Sequence, residues 1–188
     1  MSSDALTGTI TIEQVDAAAT YPLRAQELRQ GRPVEIEEDD APYTLHLAAR
    51  IDGGQIVGVV RFHPRDCPWV DTEGSWQLRG MATDPGVRGA GAGRALVEDA
   101  LARLAARGAD LVWCDARVGA AGFYERMGFA VVTGPYDKPG IGPHLGMLLD
   151  LRAPVGPGGA NSGVRTRSAI SGASGVSATG TKRPPSRR

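Results

Sequence analysis

Between a strand-like segment and a helix-like one, this chain sets glycine at every second position: Gly89, Gly91 and Gly93. After them Val97, Ala100, Leu101, Leu104 and Ala105 recur at helical spacing over about four turns, and Gly108 provides a C-cap. Before them Ser75–Ala82 has strand character and is broken by Thr83-Asp84-Pro85-Gly86. A strand, a bare turn and a helix in that order belong to an α/β arrangement. The turn also carries a chemical consequence. Backbone without side chains can wrap an anion with its N–H groups, and the helix start adds roughly half a positive charge. Arg88 and Arg94 flank the run and can pair with phosphate oxygens.

Three ligand classes use such turns. A Walker-type nucleotide site requires Gly-Lys-Ser/Thr, whereas Arg94-Ala95 follows Gly93, so that reading fails. A dinucleotide fingerprint requires a third glycine where this chain has Arg94 or Leu96. Asp115, about twenty residues on at a strand end, fits a ribose-binding acid and keeps a dinucleotide-binding oxidoreductase as an alternative.

The rest of the chain reads as alternating elements. Thr9–Glu13 is a strand, Tyr21–Gln30 a helix stopped by Gly31, and Thr44–Ile51 and Gln55–Phe62 a hairpin around Asp52-Gly53-Gly54. Leu111–Cys114 is a short buried strand, Ala120–Met127 a short helix ended by Gly128, Phe129–Thr133 a strand, and His144–Leu151 the last strand. The predicted fold is α/β of the α+β kind, a mixed and mostly antiparallel central sheet flanked by helices. Residues 1–152 form the domain. Residues 153–188, rich in Gly, Ser and Pro, are expected to be disordered.

At 188 residues, 41% apolar and 22% charged, the composition is ordinary for one globular domain. No apolar run approaches the roughly 20 residues of a membrane span, no secretory leader is visible, and Cys67 and Cys114 share no metal or redox spacing, so the expectation is a cytoplasmic protein without a metal. The zero net charge hides an asymmetry. The tail carries Arg165, Arg167, Lys182, Arg183, Arg187 and Arg188 and no acid, so residues 1–152 hold about −6 (0 minus 6). An acidic body argues against nucleic acid and favours cationic small molecules.

Three stretches together carry a family resemblance: Gln77-Leu78-Arg79-Gly80-Met81-Ala82, then Val87-Arg88-Gly89-Ala90-Gly91-Ala92-Gly93, then Gly122-Phe123-Tyr124-Glu125-Arg126-Met127-Gly128-Phe129. In that order and spacing they resemble the GNAT superfamily of N-acetyltransferases, and Pro139–His144 is similar to its bacterial ElaA-type subgroup. The resemblance implies transfer of an acetyl group from acetyl-CoA to a primary amine of a small molecule or peptide. It implies a cofactor site of Met81, Ala82, Thr83, Arg88, Gly89, Ala90, Gly91, Ala92, Gly93, Arg94, Asp115, Phe123, Tyr124 and Arg126. It further implies an oxyanion donor in the strand backbone near Ala82, a contribution of about 3 kcal/mol, and Tyr124 as the acid for the departing thiolate.

Where relatives carry a strand glutamate as base, this chain has Gln77 and Leu78, which leaves a non-catalytic acyl-CoA-binding module as a further alternative. Glu73 and His144 are the candidate bases, with water-relayed proton loss beside them. Asp115 stands where relatives of this subgroup more commonly have Asn. By the family's layout the acidic run Glu35–Asp40 borders the acceptor groove, or else it is a solvated loop. Trp69, Trp76 and Trp113 are either pocket walls or core packing. The oligomeric state stays open, a homodimer included.

Overall fold

The computed structural model describes residues 8–152 apart from Glu35 and Glu37. The expected disorder of the tail therefore lies outside the described residues. Eight strands form one sheet: β1 (Ile10–Gln14), β2 (Leu45–Ile51), β3 (Ile56–Pro64), β4 (Ser75–Thr83), β5 (Leu111–Arg117), β6 (Ala130–Val131), β7 (Tyr136–Lys138) and β8 (Gly142–Asp150). Their order is β1-β2-β3-β4-β5-β8-β6, with β7 on the outer half of β8. Every pairing is antiparallel except β4 with β5. Those two strands are joined by the long helix α2 (Ala92–Ala106), and α1 (Ala17–Arg29) and α3 (Ala121–Arg126) are the other α-helices among the described residues.

Local chemistry explains the turns. Asp52 and Gly53 both take positive φ (48° and 69°), the conformation that lets a tight hairpin follow the twist of β2 and β3. Helix α2 buries Ala92, Leu96, Val97, Ala100 and Leu104 along one stripe, the spacing that faces a helix onto a sheet. That stripe meets Leu45, Leu47, Val60, Phe62 and Leu78, all nearly inaccessible. Each such aliphatic side chain contributes about 1.5–3 kcal/mol on burial.

The other face of the sheet is built differently. Leu23 of α1 packs on Ala48, Val59 and Ala82, and beside this small apolar patch lies a buried ionic cluster. Asp39, 2% exposed, accepts from Arg24 at 2.7 Å and from Arg61, which is itself fully buried. His46 Nε2 is hydrogen-bonded to the Asp39 carbonyl at 2.8 Å. Asp39 thus ties α1, β3 and the segment between α1 and β2 together. The acidic run is not simply solvated: Asp39 is a cross-link, Glu38 reaches His63 (3.4 Å) and Arg65 (3.7 Å), and Glu35 and Glu37 lie outside the described residues.

Several boundaries differ from the sequence expectation. The strand expected over Phe129–Thr133 contracts to β6, two residues long, and β8 begins at Gly142. Strand β7 was not anticipated, because Tyr136-Asp137-Lys138 has no apolar alternation and is held by backbone pairing to β8.

Candidate active site

Strands β4 and β5 run parallel only from Ser75/Leu111 to Gln77/Trp113. Beyond that register β4 continues to Thr83 and β5 to Arg117 without pairing, so the two strands splay and the β5-facing backbone of β4 has no strand partner. A β-bulge assists the splay. Opposite the span Val59–Arg61 of β3, strand β4 fits one extra residue between Ala82 and Arg79. Gly80 occupies the bulge with φ +59°, and a Cβ there would stand 3.0 Å from Arg24 Nε. Both the backbone angle and the close approach require glycine.

Two concavities open on either side of this gap. The first, a cleft of about 470 Å³, lies between the Gly-rich turn and α3. Met81 and Thr83 of β4, Arg88, Gly89, Gly91, Ala92, Gly93 and Arg94 of the turn, and Phe123, Tyr124 and Arg126 of α3 line it. Gly89 and Gly91 have φ of +85° and +89°. Gly91 caps α2 without a side-chain hydrogen bond, and the first intrahelical bond of the turn is Ala95 N–H to the Gly91 carbonyl at 2.9 Å. The N–H groups of Ala92, Gly93 and Arg94 therefore have no acceptor within the helix. A Cβ on Gly93 would come within 3.0 Å of Met81 Cε and narrow the cleft. These features fit the diphosphate and apolar arm of an acyl-CoA: bare donors at a helix start, a narrow floor and apolar walls. Arg88 and Arg94 are mostly exposed and paired with Glu27 (3.3 Å) and Glu98 (2.7 Å), contacts of small strength.

The second concavity is a groove of about 590 Å³ on the α1 side, and it shares Met81, Ala120 and Tyr124 with the cleft. His144 of β8, 5% exposed, lines it. Its Nδ1–H donates to the Gly142 carbonyl at 2.7 Å, which fixes the tautomer and leaves Nε2 as a proton acceptor. The Tyr124 hydroxyl donates to Met81 Sδ at 3.6 Å, and burial pushes the phenol well above its ordinary pKa, so it stays protonated. Phe123 and Phe129 hold its ring edge to face, at 5.1 and 5.6 Å.

Four sequence-expected positions fall elsewhere. Glu73 sits in an exposed turn before β4, at the end of the strand opposite Met81, so the splay carries it away from both concavities. The Ala82 side chain packs under α1 rather than into the cleft. Ala90 is turned out, its N–H used by the Val87 carbonyl at 3.0 Å. Asp115 lines the groove, not the cleft. It accepts from Tyr136 and Lys138 and, at 3.3 Å, from Gln77. Burial opposes its charge, but the Lys138 and Tyr136 hydrogen bonds outweigh burial and hold its pKa below the ordinary value. Trp69 and Trp113 stack edge to face at 5.4 Å in a small core with Cys67 and Leu148, and Trp76 packs against the main core.

Sequence reading missed the charge of the groove. Arg24, Arg29, Arg32, Arg79 and Arg117 line it, and Asp115 is the one carboxylate among its described lining residues. The groove's described lining is therefore basic, although residues 1–152 as a whole carry an excess of acid. Arg79 in the strand run Leu78-Arg79-Gly80-Met81 was the available signal, since a charge in a strand is either paired in the interior, as Arg61 is, or turned toward solvent or a ligand.

Comparison with known proteins places this sheet and its central crossover in a known family. Residues 10–129 match the Acetyltransferase (GNAT) family. The chain is 34% identical over 146 residues to the uncharacterized N-acetyltransferase YitI of Bacillus subtilis, covering 76% of this chain and 97% of that protein. An acyl-CoA N-acyltransferase from Pseudomonas aeruginosa superposes with a TM-score of 0.58 at 26% identity, over 74% of this chain and 99% of that one. Escherichia coli ElaA shares the fold at 21% identity, with a TM-score of 0.61 over 74% of this chain and 99% of its own. Sequence, fold and the geometry of the gap agree: the chain belongs to the GNAT acetyltransferase family.

Proposed function

We propose that this family member moves an acetyl group from acetyl-CoA to a primary amine, by direct attack with both substrates bound. The observation that carries the reading is the shared wall: cleft and groove meet at Met81, Ala120 and Tyr124, so a thioester in one can face an amine in the other. The match to an acyl-CoA N-acyltransferase supports the choice of donor.

On this reading the Gly-rich turn and the free N–H groups of Ala92, Gly93 and Arg94 hold the pyrophosphate, with Arg88 adding charge at the rim. The unpaired backbone of β4 beside Met81 polarises the thioester carbonyl as it becomes an oxyanion. His144 Nε2 takes the proton that the attacking amine must lose. Tyr124 donates toward the departing sulfur; burial keeps the phenol protonated until the thiolate forms, while making it a weaker acid than a free tyrosine.

The test is a thermal-shift titration with acetyl-CoA, CoA, NAD and ATP, followed by thiol release across an amine panel. A ligand at a hundred times its dissociation constant adds about 2.7 kcal/mol, roughly 5–10 °C for a domain of this size. A shift with the CoA species alone, together with amine-dependent thiol release, is expected. A shift with NAD or ATP and none with CoA would sink the reading. Binding of acetyl-CoA without release on any amine would leave a binding module instead.

A further inference from the structure

The groove raises a question that the family does not answer: what kind of amine it admits. Residues 1–152 carry an excess of acid, yet the groove runs the other way. Its carboxylate, Asp115, is already taken by Lys138 and Tyr136. Behind its wall the Arg24–Asp39–Arg61 cluster sums to a positive charge, and the Nε and one terminal nitrogen of Arg61 have no partner. Arg29 Nε is buried without an acceptor. Arg79, exposed on β4, makes no ion pair among the described residues.

Arg79 is also the best placed of these cations. It lies two residues before Met81, roughly 7 Å along the strand from the wall where cleft and groove meet. It lines both the groove and an adjoining hollow of about 430 Å³ whose other charged residues are Arg65, Lys138, Asp66 and Asp115. A guanidinium with no hydrogen bond or ion pair among the described residues, attracted only at longer range by Asp115 and set among other guanidiniums in a half-enclosed groove, recognises an anion through paired N–H donors. Asp115 shares both concavities with Arg79, and its single negative charge disfavours a dianion there more than a monoanion. A monoanionic carboxylate is the better match.

We infer that the acceptor is an amine bearing a carboxylate, an amino acid or a short peptide, with its carboxylate held by Arg79 and its amine directed to Met81, Tyr124 and His144. This rests on the proposed acetyl transfer and adds the acceptor class to it. No redox step or further co-reactant is involved. The N–C bond forms first as the carbonyl becomes an oxyanion, the C–S bond then breaks, the amine's proton leaves to His144 and the departing sulfur takes the proton of Tyr124.

The experiment compares matched pairs in thiol release: glycine with glycinamide, β-alanine with its amide, γ-aminobutyrate with its amide, and O-phosphoethanolamine as the dianionic arm. An amide's amine is the less basic of each pair, so at neutral pH free-base availability works against the inference. A ten- to hundredfold preference in kcat/KM for at least one carboxylate is expected, carried by KM. In Arg79→Gln the ratio of carboxylate to amide should fall to near one, and Arg79→Lys should restore part of it. Equal rates, an amide preference, a preference for the phosphate, or a carboxylate preference that survives Arg79→Gln would each overturn the inference. If no amine is acetylated, calorimetry of the same pairs on the CoA-loaded protein separates the two ideas. Carboxylate-specific binding lost in Arg79→Gln would uphold the acceptor class while removing the transfer reading, and absence of such binding would remove the acceptor class.

Discussion

The cleft and the groove share a wall but are made from opposite materials. Residues 81–94 and the short segment 120–127 line the cleft, and its polar donors are backbone N–H groups at the start of α2. Behind it stand Leu96, Val97 and Ala100, a purely apolar support. The groove draws side chains from α1, the segment after it, β4, β5 and β8, and its polar contacts come from long arginines. Behind it stands the buried Arg24–Asp39–Arg61 cluster. A ligand common to a family can be held by backbone, which most side-chain substitutions leave in place, proline and strained glycine positions apart. A ligand particular to one member is selected by side chains that change without disturbing the fold.

The comparison breaks most easily at Asp39. Replacing it by alanine leaves Arg24 and Arg61 buried together without a counter-charge, and removal of one partner of such a cluster costs about 3–5 kcal/mol. Asp39→Asn keeps the volume and isolates the charge, so it should lose most of the same stability in urea unfolding. A loss in Asp39→Asn no larger than that of a surface change would mean the groove's wall is held by packing, as the cleft's is, and the contrast would fall.

This difference in materials also explains what could be read before the structure. The Gly-rich turn, α2 and the Phe123-Tyr124 landmark are consecutive, so their spacing survives in the sequence, and most of the sheet followed from alternation and turn chemistry. The groove is assembled from residues as far apart as Arg24 and His144, and nothing local in α1 marks Arg24 or Arg29 as lining anything. Net charge misled for the same reason: an average over residues 1–152 does not reveal which side chains converge. Asp39 was hidden inside an acidic run because burial is a property of the fold around it, and Glu73 was close to β4 in sequence but at its wrong end. Strand β7 was invisible because its cause is backbone pairing.

At the shared wall itself, Tyr124→Phe keeps the ring packing against Phe123 and Phe129 and removes only the hydroxyl. Turnover should fall about a hundredfold, while the dissociation constant of CoA from the cleft stays nearly intact. Unchanged turnover would take Tyr124 out of the proton path. His63, deep on the groove side of the sheet, sharpens the contrast by pH. Burial, with the Arg61 charge beside it, pushes its pKa down from 6.5 to about 4. The folded state therefore keeps it neutral while the unfolded chain takes up a proton as pH falls below 6.5. Its contribution is fully present above 6.5 and is lost on acidification, levelling off below about 4. The slope approaches about 1.4 kcal/mol per pH unit between those limits, about 3 kcal/mol over the whole span and about 2 kcal/mol of it between pH 7 and 4.5. The measure is the difference in unfolding free energy between the wild type and His63→Gln from pH 7 to 4.5. Parallel curves would mean that the folded state accepts the proton after all.

The smallest effect is expected where the sequence signal is strongest, at Arg88. Its side chain is 66% exposed and already engaged with Glu27 at 3.3 Å, so screening and competition both limit what it adds to an anion in the cleft. If backbone N–H groups at the start of α2 supply most of the hold on the pyrophosphate, Arg88→Ala should weaken CoA binding about tenfold, or about 1.4 kcal/mol. Higher salt should shrink the difference. Gly91→Ala is the counterpart. Its φ of +89° strains any residue with a Cβ, and displacing that backbone should cost more affinity than deleting the charge. The two variants therefore rank the contributions directly by calorimetry with CoA. An Arg88→Ala loss larger than that of Gly91→Ala would make the cleft a side-chain site like the groove, and the distinction between the two halves of the active site would not hold.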